Sequence, residues 1–467
     1  MSALQWVLAS MHGERLLSRN VAGIILISFL VTVGFGAVNL IVPYYILALK
    51  GLLVELPEKL GTVRAERAAL EIGAMASAFM ATRALFAAAS GWLSDRVGRK
   101  PLIVTGMSLY TVLGILYALT TAEWQLIVLR AVQGVASALV WPVAEALLMD
   151  TVAPGLRTRT LSLYIISANV GQVVGPLIGS AAYEASKRLL EGHPVVDIFR
   201  APFILITIAT LPAVAVAATL KEAVASTART ASEKAMEMFR GGLRELPSPV
   251  KRALTAFYAN GLLNGIAMGI MTSIMIVYII DFIAKEPTKV AAAMSIAGLA
   301  GLLVSYPVAH IADKLSDTDR KRLLIASYAL ARLLLATIGF IRSYPLFIAV
   351  AAALSILMNI TMPLLRSIQA GLIPSRLRGR VFGLQQAFFN LGMVAGPLIG
   401  AYIYRRYYTV EIVAGVTGAQ AAFIFAAVLG LAGITLLTLY YNPAAIAKAW
   451  TLHRSRSELG AAATAEK

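Results

Sequence analysis

The sequence contains no cysteine, which excludes disulfides and thiolate metal sites and leaves no redox compartment to read. Its four histidines show no ligand spacing, so no metal is expected. Charged residues make up only 14% of 467 positions, far fewer than a soluble surface of this length carries. No nucleophile elbow, phosphate loop or metal-ligand cluster occurs, and no soluble domain stands apart from a linker and short tails. An enzyme is therefore not expected, and a receptor or enzyme scaffold has no motif to support it.

What remains is apolar. Hydrophobic residues are 59% of the chain, and runs such as Val21 to Leu49, Leu102 to Leu119 and Phe203 to Leu220 approach or exceed the roughly 20 residues that cross a bilayer as a helix. The pattern predicts an all-α membrane protein with twelve spans, at 20–48, 71–92, 101–121, 123–150, 158–183, 201–220, 251–281, 290–312, 323–341, 344–371, 379–403 and 414–440. Two six-helix bundles follow, 1–220 and 251–440, with a polar cytoplasmic linker at 221–250 and a tail at 441–467. The first apolar run follows Arg15 and Arg19 and has no small-residue cleavage pattern, so it is expected to be a span and not a signal peptide.

A net charge of +17 would suggest nucleic acid for a soluble protein, but here the placement of the positives carries the information. With both termini cytoplasmic, 25 of the 41 Lys and Arg fall on the inner side, 12 on the outer side and 4 within spans. That bias fits a multi-pass protein of the cytoplasmic (inner) membrane in this orientation. Expected partners are the lipid bilayer and a small-molecule solute, with no nucleic acid, and the chain is expected to be a monomer.

An internal repeat is the strongest signal. Leu156–Tyr183 laid on Leu377–Tyr404, a shift of 221 positions without a gap, matches at 13 of 28 residues, where common-residue frequencies predict about two or three. The matches include Asn169 with Asn390, and the run Gly175-Pro176-Leu177-Ile178-Gly179 with Gly396-Pro397-Leu398-Ile399-Gly400. The same shift pairs Pro142 with Pro363. The repeated unit is six helices in parallel orientation, and internal duplication with the substrate at the repeat interface is a common transporter plan.

After the second span comes Gly91-Trp92-Leu93-Ser94-Asp95-Arg96-Val97-Gly98-Arg99-Lys100. This resembles the loop between helices two and three of the major facilitator superfamily, G-x-L-x-D-R-x-G-R-[KR]. With twelve helices and duplicated halves, the resemblance covers nearly the whole chain. It implies that Gly91, Asp95, Arg96, Gly98, Arg99 and Lys100 form a conformational latch, Asp95 facing a helix N-terminus and the bases reaching carboxylates such as Asp150. The bases also suit simple positive-inside anchors. A degraded copy, Ala309 to Lys314, should latch less strongly.

Helix four carries Arg130-Ala131-Val132-Gln133-Gly134, similar to an R-x-x-x-G pattern linked in the family to proton coupling. An intramembrane arginine must face a partner or wet cavity, or snorkel to headgroups. Helix five resembles the G-x-x-x-G-P-x-x-G motif of the drug and proton antiporters at Gly171, Gly175, Pro176 and Gly179, copied at Gly392, Gly396, Pro397 and Gly400. Its glycines and kink are expected to make a pliable contact between the halves. Gly261, Gly265 and Gly269 at four-residue spacing predict helix packing.

Glu145 is the one acid well inside a span, and its repeat counterpart is Arg366. Pairing across the cavity would let protonation of Glu145 bias inward against outward states; a fixed ion pair or a hydrated Glu145 are the alternatives. Arg130 joins these as a coupling candidate. Cavity candidates are Asn39, Tyr44, Tyr45, Arg83, Gln133, Trp141, Asn260, Asn264, Arg332, Asn359 and Gln386, because polar groups within spans need partners. The first helix lacks the acid that many drug antiporters hold. Two readings stay open: an efflux antiporter exchanging a small amphipathic solute for protons by alternating access, with no cofactor beyond the coupling proton, or an organic anion carrier that uses buried arginines as symporter, exchanger or facilitator.

Overall fold

A computed structural model describes residues 18–222 and 246–451 apart from 314, 374, 414 and 447. Most of the expected linker and most of the tail lie outside the described residues, as does Lys314 of the degraded latch copy.

Lipid offers the backbone no hydrogen-bond partner, so each apolar run satisfies itself as a helix. The helices are α1 (Arg19–Leu49), α2 (Ala69–Val97), α3 (Arg99–Ala118), α4 (Glu123–Thr151), α5 (Arg157–Leu189), α6 (Val195–Thr219), α7 (Ser248–Tyr278), α8 (Pro287–Asp313), α9 (Asp317–Ile338), α10 (Tyr344–Gly371), α11 (Ser375–Arg406) and α12 (Gly418–Tyr440). Among the described residues eleven are long and apolar enough to span a membrane. The exception, α9, opens on a charged turn that contains Asp319, Arg320, Lys321 and Arg322, and holds Arg332 midway.

Local chemistry sets the ends. Ser18 caps α1 by accepting from the Val21 amide at 3.4 Å. Ser316 does the same for α9, whose helix begins six residues before the apolar run, accepting from the Asp319 amide at 3.2 Å. Thr417 and Gln420 form a capping box that starts α12 four residues later than the hydropathy suggested. The end of α7 widens into a π turn, Ile279–Ile283.

The chain divides into two compact units. Unit 1 comprises Met1–Ser226 with Ser273–Leu299, and unit 2 comprises Thr227–Thr272 with Ala300–Lys467. Residues 273–299, read from the sequence as part of the second bundle, thus pack with unit 1. Specific bonds fasten them: Asp281 Oδ1 accepts from the Ala65 amide, the Lys285 ammonium donates to the Leu60 carbonyl, and Ser295 Oγ donates to the Val173 carbonyl at 2.6 Å.

Within unit 1, α1 lies against α5 and α6, α2 against α4, and α3 against α4 and α6. The apolar core draws Ile24 and Ile27 of α1, Ile103 of α3, Leu147 of α4 and Ala217 of α6 into one cluster. In unit 2, α9 lies against α10 and α12, and α11 against α12. Its core joins Phe257, Tyr328, Leu364, Val381 and Ile434.

The glycine-proline motif forms the same seam in both units. A Cβ on Gly175 would lie 2.7 Å from Gly36 Cα, and one on Gly179 would lie 2.8 Å from Ala37 Cα, so α5 touches the α1 backbone directly. In unit 2 a Cβ on Gly396 would lie 2.3 Å from the Ile266 carbonyl oxygen, and one on Gly392 would lie 2.4 Å from that of Leu262. The glycines themselves thus pack within a unit, while Val173, between Gly171 and Gly175, accepts from Ser295 of α8, a residue the sequence had placed in the second bundle. Glycines four apart share one helix face, and that face meets α1 or α7 of the same unit. Gly265 and Gly269 supply the α7 side of the second seam.

Candidate functional site

The turn between α2 and α3 is a single residue, Gly98, at φ +95°. An L side chain is strained there, and a Cβ would meet Glu222 Oε2 at 3.0 Å. Glu222 accepts from the amides of Arg99 at 2.7 Å and Lys100 at 3.0 Å, so a carboxylate that follows α6 caps the positive end of α3. Sequence reasoning missed Glu222, since nothing but its charge marked it. Arg99 forms an ion pair with Asp150 at the end of α4. Arg96 lies over the Trp92 ring at 3.9 Å. Asp95 is exposed and bonds to none of the described residues, and the carboxylate at the α3 N-terminus is that of Glu222. Gly91 has open space beside its Cα, and Lys100 is half-buried.

Farther into unit 1, Arg130 turns inward. It donates to Asn39 Oδ1 at 2.6 Å and to Gln133 Oε1 at 2.7 Å, and lies between the Phe35 and Phe79 rings at 5.6 and 5.3 Å. Gln133 Oε1 also accepts from the Tyr117 hydroxyl at 3.2 Å. The aromatic faces and two amide oxygens supply the negative ends of dipoles that a guanidinium needs in the absence of an acid. Snorkelling to headgroups is thereby replaced by an internal box. Beside Gln133 is a void of only about 50 Å³, lined also by Phe35, Tyr110, Tyr117 and Phe203.

Tyr44 and Tyr45 are fully buried and belong to packing, which corrects their assignment to a cavity. Tyr44 stacks on Phe199 with centroids 5.4 Å apart and donates to the Lys285 carbonyl at 2.9 Å. Tyr45 packs on Phe203 and donates to the Thr120 carbonyl at 3.0 Å. Hydropathy shows an amphipathic ring in a span but not which neighbouring aromatics receive it. Trp141 meets Tyr164 edge-on at 6.0 Å. Glu145 is exposed on α4, and Arg83 of α2 is half-buried. Glu145 belongs to unit 1 and Arg366 to unit 2.

Unit 2 gathers several of the remaining candidates around a cavity of about 610 Å³. Asn260 and Asn264 of α7, Arg366 and Ser367 of α10, and Gln385 and Gln386 of α11 supply its polar wall. Met362, Leu365, Phe382 and Phe389 supply the apolar wall. The Arg332 guanidinium, 4% exposed, donates to Asn264 Oδ1 from behind and lies 4.8 Å from the Tyr328 ring. Arg332 is thus a wall support and does not line the cavity, a correction to its expected place. Tyr328 donates to Asn260 Oδ1 at 3.4 Å. Gln386 donates to Asn390 at 2.9 Å. Asn359 donates to the Ser355 carbonyl of its own helix and packs where a Cβ on Gly301 would lie, so it too is placed outside the cavity. Arg366 bonds to none of the described residues, and a lone cation within a span costs at least about 2.5 kcal/mol.

Among the described residues no cluster of acids and histidines fits a metal. Among the described residues, twelve long helices in two units, eleven of them apolar enough to span a membrane, a repeated glycine seam and a polar cavity lined by helices define a multi-pass transporter of the facilitator fold. A family model described as the Major Facilitator Superfamily matches residues 24–318 and 261–461, and the chain belongs to that superfamily. It is similar to the multidrug resistance protein MdtG of Proteus mirabilis, 26% identical over 406 residues, covering 85% of this chain and 90% of that one. MdtH of Salmonella typhimurium, also a multidrug resistance protein, is 26% identical over 313 residues, 66% of this chain and 70% of that one. The solved structure of the nucleoside transporter NupG superposes with a TM-score of 0.66 at 12% identity, covering 91% of this chain and all of that one, and shows the shared fold. The chain is a membrane transporter of small solutes, not an enzyme.

Proposed function

We propose that this secondary transporter exports a small amphipathic solute by alternating access in exchange for protons, in a cytoplasmic membrane with both termini cytoplasmic. The observation that carries the export reading is the likeness to a multidrug resistance protein over 85% of the chain. The unit 2 cavity suits such a cargo, because Phe382, Phe389 and Met362 offer apolar surface opposite amides and a guanidinium.

Coupling is assigned to Glu145, an acid of α4 about a turn and a half before Asp150. A carboxyl that takes up a proton in one state and releases it in the other biases the equilibrium between them. In proteoliposomes with an imposed pH gradient, Glu145→Gln abolishes gradient-driven dye export while leaving downhill flux. Gradient-driven export that persists in this variant removes Glu145 as the coupling group.

A further inference from the structure

We propose that the unit 2 cavity is a subsite for the anionic group of an amphipathic monoanion, held by Arg366 and presented with donors by Asn260 and Asn264. The inference rests on the export reading only in taking this cavity as the cargo site.

The first argument is charge. No Asp or Glu lines the cavity. From Arg320 to Val410 the sequence holds no acid at all, so α10 and α11 bring Arg366 into the span with no carboxylate of their own. Arg366 makes no hydrogen bond or ion pair with any described residue. Its planar fork is free to take a carboxylate, sulfonate or phosphonate through two parallel hydrogen bonds.

The second argument is the direction of the amides. A guanidinium only donates, so the bond from Arg332 fixes Asn264 by its oxygen and leaves its Nδ2 as a donor. Asn260 is fully buried, its oxygen occupied by Tyr328, and its Nδ2 has no partner. A buried amide donor is normally satisfied. On the α7 side of the wall, two amides with their acceptor ends occupied and their donor ends unoccupied stand opposite Arg366, an arrangement complementary to an anion. Arg332 therefore acts as a positioning residue, and Arg366 as the contact. This assigns Arg366 to the cargo and not to Glu145.

The test is calorimetric binding to the full chain in phosphatidylcholine nanodiscs, without a gradient, with three probes of one shape: 1-naphthoate, neutral 1-naphthamide and cationic 1-naphthylmethylamine. Naphthoate is expected to bind at least about tenfold more tightly than either of the others, and Arg366→Gln to remove that preference. Arg366→Lys, which keeps the charge but loses the fork, should restore part of it. The thermal midpoint of each variant without ligand reports whether it is folded, and Asn264→Leu provides a second perturbation of the same wall. Equal affinity for the three probes, or a naphthoate preference that survives Arg366→Gln, overturns the proposal. Displacement of naphthoate by added phosphatidylglycerol would assign the site to a lipid headgroup and equally overturn it as a cargo site. Because no proton gradient is present, this outcome is independent of the Glu145 result.

Discussion

Asn39 on α1 and Asn260 on α7 stand 221 positions apart, the same displacement that aligns the glycine-proline segments, yet they do opposite things. In unit 1 the Asn39 oxygen receives Arg130, the adjacent glutamine is shared by Arg130 and Tyr117, and only about 50 Å³ stays open beside it. In unit 2 Asn260 keeps an unpartnered Nδ2 beside about 610 Å³ of cavity. Duplication preserved the scaffold, where two backbones touch and any side chain collides. The polar centre diverged, because there a change of partner costs only a hydrogen bond. One half uses its asparagine to hold a cation in place and the other keeps a donor available.

The scaffold side of the comparison breaks most readily. Gly175→Leu places carbon into backbone atoms of Gly36 and Val33 that no rotamer change can clear. A loss of about 3 kcal/mol or more, or failure to recover monodisperse protein, is expected in a detergent thermal-unfolding assay. Gly371→Ala, with nothing within 4 Å, should leave the midpoint unchanged or slightly raised. Equal behaviour of the two would dissolve the seam as a structural element.

The polar centre gives the next largest effect. Asn39→Leu strands the Arg130 guanidinium and is expected to cost about 2 kcal/mol, whereas Asn260→Leu loses only the long, uncharged 3.4 Å bond from Tyr328 and should cost about 1 kcal/mol. Thermal midpoints of the two variants measured side by side test this. A reversed order would mean that unit 1 and not unit 2 carries the available donor.

The smallest effect belongs to the turn at Gly98. Glu222→Gln keeps the hydrogen-bonding shape but loses the charge at the α3 N-terminus, and about 0.3–1 kcal/mol is expected at low ionic strength. The difference should shrink in high salt. A loss that is insensitive to salt would show that shape, not charge, holds the turn.

Much of this was legible in the sequence. Apolar runs placed all twelve helices, because hydrocarbon length and backbone satisfaction leave few alternatives. The repeat at Gly175 and Gly396 announced close packing, though not that the glycine faces would meet α1 and α7. The polar residues were harder. Tyr44, Tyr45 and Asn359 have the composition of cavity residues and are packing residues, while Tyr117, Tyr328 and Gln385 were not singled out and sit in or beside the polar centres. Only Gln385, next to Gln386 in the copied helix, had a neighbour that could have drawn attention to it.

The sequence by itself determined which apolar runs become helices, and that a handful of arginines and amides must lie among them, since these follow from local hydropathy and spacing. Tertiary structure decided which of those groups are satisfied. Arg130 finds Asn39 at a separation of 91 residues and Arg332 finds Asn264 at 68, and such partners are chosen by helix packing, which periodicity along one chain segment does not encode.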